Sequence, residues 1–257
     1  MNELISIITP MYNSAKHVEK TIQSVISQTY ANWEMIIIND CSTDDSLQIA
    51  EQYAAIDSRI KIISHDCNMG ISAARNTGIG HACGRYIAFL DSDDIWKSNK
   101  LAKQIAFMQS NNYLFTYTAC ELIDESGDSM RKVITPRSFV DYKSLLKSNC
   151  IVCSSVMIDA NTINIHVPFV KHEDYATWLD ILKNGHIAYA VDDVLVEYRI
   201  RKSSVSANKF KSLSWVLNIY RNHLKMSWIE AIYRIIIYFC YAVAKYFNAL
   251  DVVFKKK

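Results

Sequence analysis

The run Phe89-Leu90-Asp91-Ser92-Asp93-Asp94-Ile95-Trp96 crowds three carboxylates at the end of an apolar segment. On an extended backbone Asp91 and Asp93 project to one side and Ser92 to the other, so the spacing can aim two carboxylates at a single ligand. A hard divalent cation suits them: Mg²⁺ or Mn²⁺ takes oxygen ligands and is usually held by one or two carboxylates, with water and substrate phosphates completing the shell. The same run is also good turn chemistry, because Asp and Ser side chains bond their own backbone. Its surroundings therefore decide its meaning.

Those surroundings read as alternating strands and helices. A buried strand over 4–9 is stopped by Pro10 before a polar turn at Asn13-Ser14, and Val18, Ile22, Val25 and Ile26 then recur at helical spacing. A second strand, 33–38, ends at Asn39-Asp40-Cys41-Ser42 and is followed by helical spacing over 44–53. A third, 60–64, leads through Asn68-Met69-Gly70 into a small-residue helix reaching Cys83, and a fourth, 86–90, delivers the carboxylates. This order predicts an α/β fold, a mainly parallel sheet with helices on both faces. Ligands of such sheets bind outside the carboxyl ends of the strands, where Thr9, Asp40 and Asp91 all fall. The second half reads as a helix over 100–110, strands at 114–120, 130–134 and 154–158, a turn at Glu125-Ser126-Gly127-Asp128, a helix over 175–183 closed by Gly185, and strands at 187–191 and 194–200.

With 257 residues, half of them hydrophobic and only six glycines, the chain can bury a substantial ordered core. Its seven scattered cysteines and the lack of a cleavable leader pattern point to a reduced, cytosolic setting. Cys150-Ile151-Val152-Cys153 has no second ligand pair at zinc spacing and reads as buried small residues. The net charge of +2 hides an asymmetry, for residues 209–257 carry nine Lys or Arg against two acids, and the other 208 carry 19 basic and 24 acidic side chains. Body and tail thus face different partners.

Ser227-Trp228-Ile229-Glu230 has the form of a capping box that starts a helix reaching about residue 250. Its longest uncharged stretch, 235–244, is ten residues, too short to span a bilayer. Glu230, Arg234, Lys245 and Asn248 fall on one narrow face, with apolar residues filling the rest, and Lys255-Lys256-Lys257 follows. The pattern predicts peripheral contact with anionic lipid through 227–257, the alternative being packing against the body or a second subunit. A wide apolar surface beside the positive charge argues against nucleic acid.

Taken together, Ile8-Thr9-Pro10-Met11-Tyr12-Asn13, Ile38-Asn39-Asp40-Cys41-Ser42-Thr43-Asp44, Asn68-Met69-Gly70 with Ala74-Arg75-Asn76, and Gly84 through Asp94 resemble the successive signature blocks of family 2 glycosyltransferases. The resemblance covers about residues 4–208. It implies a GT-A fold, with a nucleotide-binding half over 1–95 and an acceptor-side half over 96–208 ahead of the 209–257 tail, an inverting mechanism and a nucleotide-diphospho-sugar donor, most often a UDP-sugar.

Residue by residue, the resemblance gives Asp40 to the uracil N–H, Pro10 and Tyr12 to the base, Arg75 to the nucleotide, Asp93 to the metal and Asp91 to the ribose or a metal-bound water, leaving Asp94 unplaced. His172-Glu173-Asp174-Tyr175-Ala176-Thr177-Trp178 resembles the acidic block that carries the general base, expected to be Asp174 with Glu173 as alternative or support. In Tyr198-Arg199-Ile200-Arg201-Lys202-Ser203-Ser204-Val205-Ser206, Arg201 stands where many members have a metal-ligating histidine, and an arginine could instead clamp the diphosphate. Plainer readings stay open: Asp40 as a helix cap, Tyr12 as a core aromatic, Arg75 as a solvated helix residue, and Glu173-Asp174 as acids complementing a helix dipole.

The expected function is metal-dependent sugar transfer, with Mn²⁺ or Mg²⁺, to a lipid-linked glycan in bacterial cell-surface polysaccharide assembly, on the inner face of the membrane, self-association staying open. A sugar nucleotidyltransferase would want a glycine-rich phosphate loop after the first strand, which Pro10-Met11-Tyr12-Asn13 is not. A non-catalytic nucleotide-binding scaffold at the membrane is the other alternative, and the Glu173-Asp174 block argues against it.

Overall fold

Runs such as Met35-Ile36-Ile37-Ile38 lack polar alternation, as a strand buried on both faces must. In the computed structural model they lie inside a ten-stranded sheet, paired on both edges, with a separate apolar core on each side. The structure describes residues 3–201 and 209–254.

The elements of the nucleotide-side half are β1 (Ile5–Met11), α1 (Val18–Ile26), β2 (Trp33–Asn39), α2 (Ser46–Ile56), β3 (Ile60–Ser64), α3 (Ile71–His81), β4 (Tyr86–Phe89) and β5 (Ile95–Trp96). Then come α4 (Lys100–Asn111), β6 (Phe115–Ile123), β7 (Ser129–Ile134), β8 (Phe139–Val140), α5 (Tyr142–Leu145), a 3-10 turn (Cys153–Ser155), β9 (Met157–Asp159), α6 (Glu173–Lys183) and β10 (Ala188–Arg199). Finally α7 (Lys209–Asn218) runs through a π turn (Ile219–His223) toward α8 (Trp228–Phe254).

The sheet order is β3-β2-β1-β4-β9-β6-β10-β5, with β7 on β6 and β8 on β10. Strands β3, β2, β1 and β4 are parallel, as are β6 and β10, while β9 runs antiparallel between the two groups. The chain leaves β1 toward β2 on one side and returns to β4 on the other. That reversal opens a crevice at the carboxyl ends of β1 and β4, where ligands bind in such sheets.

Several expected boundaries move for physical reasons. Pro10 does not stop β1, which continues to Met11. The Ile8 carbonyl accepts from Leu90 N–H on the β4 side, and by two-residue alternation Pro10 turns its nitrogen to that side too, beyond the last β1–β4 pair at Ile8 and Phe89. The two strands expected at 187–191 and 194–200 are one, β10, whose register shifts around Val191, Val194 and Val196 absorb the polar Asp192-Asp193. The strand expected from 154 begins only at Met157, because Ser154 sits in the 3-10 turn with its side chain drawn to the carboxylates. Ser227 does cap α8, its hydroxyl accepting from Glu230 N–H at 3.2 Å. The expected segment 202–206, the 208/209 boundary and Lys255-Lys256-Lys257 fall outside the described residues.

Helix α3 must lie close on the sheet to present its residues to the crevice, and Gly78 permits it. A Cβ there would meet Ile8 Cγ2 at 2.5 Å and Ile38 Cδ1 at 2.7 Å, both in the core. Gly78→Ala is therefore expected to destabilise the fold by about 1–3 kcal/mol, measured by urea denaturation. An unchanged midpoint would contradict this packing.

Candidate active site

The carboxylate run leaves β4 and turns sharply, Asp94 N–H donating to the Asp91 carbonyl at 3.1 Å. The turn sends the three carboxylates into three environments. Asp94 points into the protein, accepting from Arg199 N–H at 2.9 Å and from the Ser154 hydroxyl. Burial raises its pKa well above the ordinary value, and the charges of Asp93 and Asp91 add to the effect. Asp94 therefore anchors the turn to β10 and to the 3-10 turn. Ser154 also accepts from Asp91 N–H at 3.0 Å, and Ser92 shares a hydrogen bond of 2.7 Å with Ser14 of the first loop.

Asp93 meets Arg201, whose guanidinium lies 2.6 Å from its carboxylate. Burial first and the Asp91 charge second push the Asp93 pKa up, with Arg201 offsetting part of the rise. Asp91 faces a cleft of about 710 Å³. Arg75 of α3 lies buried in its wall, donating to Asp91 Oδ1 at 2.6 Å and to Glu173 Oε1 at 2.5 Å. One guanidinium thus joins the end of β4 to the start of α6.

Asp174 lines the same cleft and accepts from Tyr175 N–H at 2.7 Å. Desolvation, then repulsion from Glu173, raises its pKa to about 7. The plainer reading of this pair as dipole-complementing acids is incomplete: Glu173 is tied to Arg75, whereas Asp174 is poised to exchange a proton near neutrality. His172 precedes them in a left-handed conformation, φ 57°, with its ring edge-on to Trp215 and bonded to Ser212 at 2.9 Å.

The nucleotide-side residues sit at the carboxyl ends of β1 and β2. Pro10 is buried in β1, and Tyr12 just beyond it is 48% exposed rather than a core aromatic. Asp40 is buried and caps no helix. It accepts from Met69 N–H and Gly70 N–H, both at 2.8 Å, and bonds the His65 ring at 2.8 Å. Burial alone would raise its pKa, but these hydrogen bonds prevail and hold it below the usual carboxylate value. A carboxylate offers about four lone-pair sites, so one further donor can be accepted. Gly70, at φ 86°, lets the chain turn into α3 while offering its N–H to Asp40.

No group of three or more His, Cys, Asp or Glu among the described residues could hold a metal by itself. Asp91 and Asp93 supply the oxygen ligands that a hard divalent cation takes, and a cation sharing its shell with a diphosphate needs only one or two carboxylates. In this structure each meets an arginine, Asp91 with Arg75 and Asp93 with Arg201. Cys153 is buried as expected, but Cys150 is only half-buried, and both line the cleft.

Four supporting residues lay outside the sequence-based site. Ser154 bridges Asp91 and Asp94, and His65 holds Asp40. The Arg199 side chain donates to the carbonyls of Asp93, Asp124 and Glu125. Asn76 bonds the Val167 backbone through both ends of its amide. Arg199 and Asn76 stood inside the recognised blocks; Ser154 and His65 carried no local signal.

Residues 6–159 match the family described as Glycosyl transferase family 2. The chain is 40% identical over 244 residues to a Bacillus subtilis protein named as a teichuronic acid biosynthesis glycosyltransferase, TuaG, covering 94% of this chain and 97% of that one. It is 42% identical over 212 residues, 82% of each, to WfgD of Escherichia coli, a UDP-Glc:alpha-D-GlcNAc-diphosphoundecaprenol beta-1,3-glucosyltransferase. Among solved structures, S. aureus TarS 1-349 with UDP-GlcNAc has a TM-score of 0.66 at 20% identity, over 85% of this chain and 66% of that one. The mannosyltransferase PcManGT from Pyrobaculum calidifontis with GDP-Man and Mn²⁺ gives 0.66 at 16%, over 87% and 64%. The chain thus spans just under two thirds of these structures, and the likeness establishes the GT-A fold.

Removing the guanidinium from between its two acids leaves uncompensated charge in a partly buried place. Arg75→Met is expected to cost about 3 kcal/mol in chemical denaturation, with a coupling to Glu173→Gln of about 1–3 kcal/mol in a double-mutant cycle. Strictly additive effects would contradict the bridge.

Proposed function

The chain belongs to glycosyl transferase family 2, and on that premise we propose that it moves a sugar, with inversion, from a UDP-sugar to a hydroxyl of a lipid-linked glycan in cell-surface polysaccharide assembly. That it is a glycosyltransferase follows from the family and from relatives named as such. The observation that carries the finer reading is that one cleft holds both Asp91 at the end of β4 and Asp174 at the start of α6, with Arg75 bridging Asp91 to the neighbouring Glu173.

In this reading the uridine lies at the ends of β1 and β2, against Pro10 and Tyr12, its N–H taken by the remaining lone pair of Asp40. Asp93, with Asp91, would hold a divalent cation, Mn²⁺ or Mg²⁺, which would supply positive charge to the departing diphosphate. Arg201, beside Asp93, contributes positive charge to the same diphosphate. Asp174 accepts the proton of the acceptor hydroxyl as its oxygen bonds to the anomeric carbon, and the bond to the diphosphate breaks with its electron pair leaving on phosphate. Glu173 is a positioning residue, held by Arg75 at 2.5 Å. A carboxylate titrating near 7 is suited to this task, being about half ionised near neutral pH yet basic enough to take a proton.

The acceptor class rests on the relatives acting on diphosphoundecaprenol-linked sugar and on α8. No helix among the described residues is long and apolar enough to cross a membrane. Helix α8 packs one side on the body, with Ala231 buried and the Tyr238 ring 6.0 Å from that of Tyr175. Its other side leaves Trp228, Ile229, Ile232, Tyr233, Ile236 and Phe239 exposed. The expected alternatives of membrane contact and packing on the body thus use different faces of one helix. An apolar face in a strongly basic tail fits an anionic bilayer surface on the cytoplasmic side.

Two experiments test this reading. With UDP-glucose, UDP-GlcNAc and related donors, turnover should rise with pH through about 7, because the base works only when deprotonated, and Asp174→Asn should lose about 100-fold or more while still binding UDP. Retained turnover in the variant would sink the assignment. In flotation with anionic vesicles, Ile229→Glu/Ile232→Glu should release the protein, and raised salt should weaken wild-type binding. Equal flotation of the variant would remove α8 as the membrane contact.

A further inference from the structure

Phe169 is 69% exposed, an unusual state for a phenylalanine on a rigid segment. Single exposed apolar side chains need no explanation, but this one has company. Met69, 57% exposed, and Ile71, 42% exposed, line the same cleft. These three come from two segments that are tied together. The Ser72 hydroxyl donates to the Pro168 carbonyl at 2.9 Å, Asn76 donates to the Val167 carbonyl at 2.7 Å, and Val167 N–H returns a bond to Asn76 at 2.9 Å. The loop that carries Phe169 is therefore pinned to α3 on its N-terminal side and continues into α6 on the other. Its ring lines the cleft and stays exposed instead of folding onto the core, where a ligand in the cleft can cover it.

The position says which ligand. Phe169 lies five residues before Asp174 and lines the same cleft, whose lining includes neither Asp40 nor Tyr12. Lys171, exposed between them, lines the same cleft and forms no ion pair among the described residues. An aromatic face is electron-rich and attracts weakly positive C–H groups, which a pyranose presents together on one side of its ring.

Resting on the proposed acceptor class, we propose that Phe169 is the platform on which the acceptor's sugar ring stacks, with Lys171 taking the charge of the adjoining diphosphate. Met69 and Ile71 add apolar surface to the same cleft. The hydroxyl of a sugar lying on Phe169 is thereby offered to Asp174, and the subsite selects a ring with one face free of axial polar groups.

The test is binding of a synthetic N-acetylglucosaminyl-diphospho-lipid with a short alkyl chain, measured calorimetrically in the presence of UDP. Phe169→Ala is expected to weaken it about tenfold, and Phe169→Trp to stay within about twofold of wild type, with UDP affinity and melting temperature unchanged in both. Lys171→Ala should weaken binding severalfold and flatten its salt dependence. Equal binding by wild type and Phe169→Ala overturns the platform while leaving the acceptor class standing. Failure of the wild type to bind this compound overturns the acceptor class and the subsite with it, and unchanged binding by Lys171→Ala removes that residue from the subsite.

Discussion

A guanidinium buried between two carboxylates is the constraint on which the rest of the site depends. Taking a charge out of water costs several kcal/mol unless it is paired in good geometry, and Arg75 is paired at both ends, with Asp91 and with Glu173. Its partners stand 16 and 98 residues away in sequence. Because the cation is shared, neither carboxylate can shift without stranding it. The separation between the end of β4 and the start of α6 is thereby set by electrostatics as well as by packing. Gly78, about one turn away, and the Asn76 amide on the same helix fix α3 itself, so the guanidinium starts from a firmly packed element.

The same economy of charge divides the labour of the carboxylate run. Three adjacent acids cannot all ionise in a low-dielectric crevice, and the fold resolves the conflict by giving each a different neighbour. Asp94 turns inward to Ser154 and the β10 backbone, Asp93 meets Arg201, and Asp91 meets Arg75 at the cleft. The acidic block is divided likewise, for Arg75 engages Glu173 and leaves Asp174 raised to about 7. The two acids thus differ in environment, Glu173 paired with the cation and Asp174 raised by desolvation and by the Glu173 charge.

The C-terminal helix extends this logic to the surface. Its inner side packs behind the acidic block through Tyr238, whose ring is 6.0 Å from that of Tyr175, beside the 2.8 Å bond of Tyr175 to Tyr220 of the π turn. Its outer side is apolar and bare. The residues that support Asp174 from behind are therefore also those on which a helix with an exposed apolar face rests.

The sequence determined the order of strands and helices, because burial on both faces writes continuous apolar runs and amphipathic helices write a 3.6-residue period, both local patterns. It also determined the chemistry available: the carboxylate run after β4, Asp40 after β2 and Glu173-Asp174 at α6 stand out by residue type and spacing, and their order carries the family resemblance. What it left open was decided by contacts between distant segments. Which of Asp91, Asp93 and Asp94 faces the cleft depends on Ser154, Arg199 and Arg201, 60 or more residues on. That Pro10 sits inside β1 depends on where β4 stops pairing, and that Arg75 is a buried bridge instead of a solvated helix residue depends on two acids meeting it from opposite sides. Local patterns fix what each segment is; the electrostatic partners of a buried charge are fixed only when the chain closes around it.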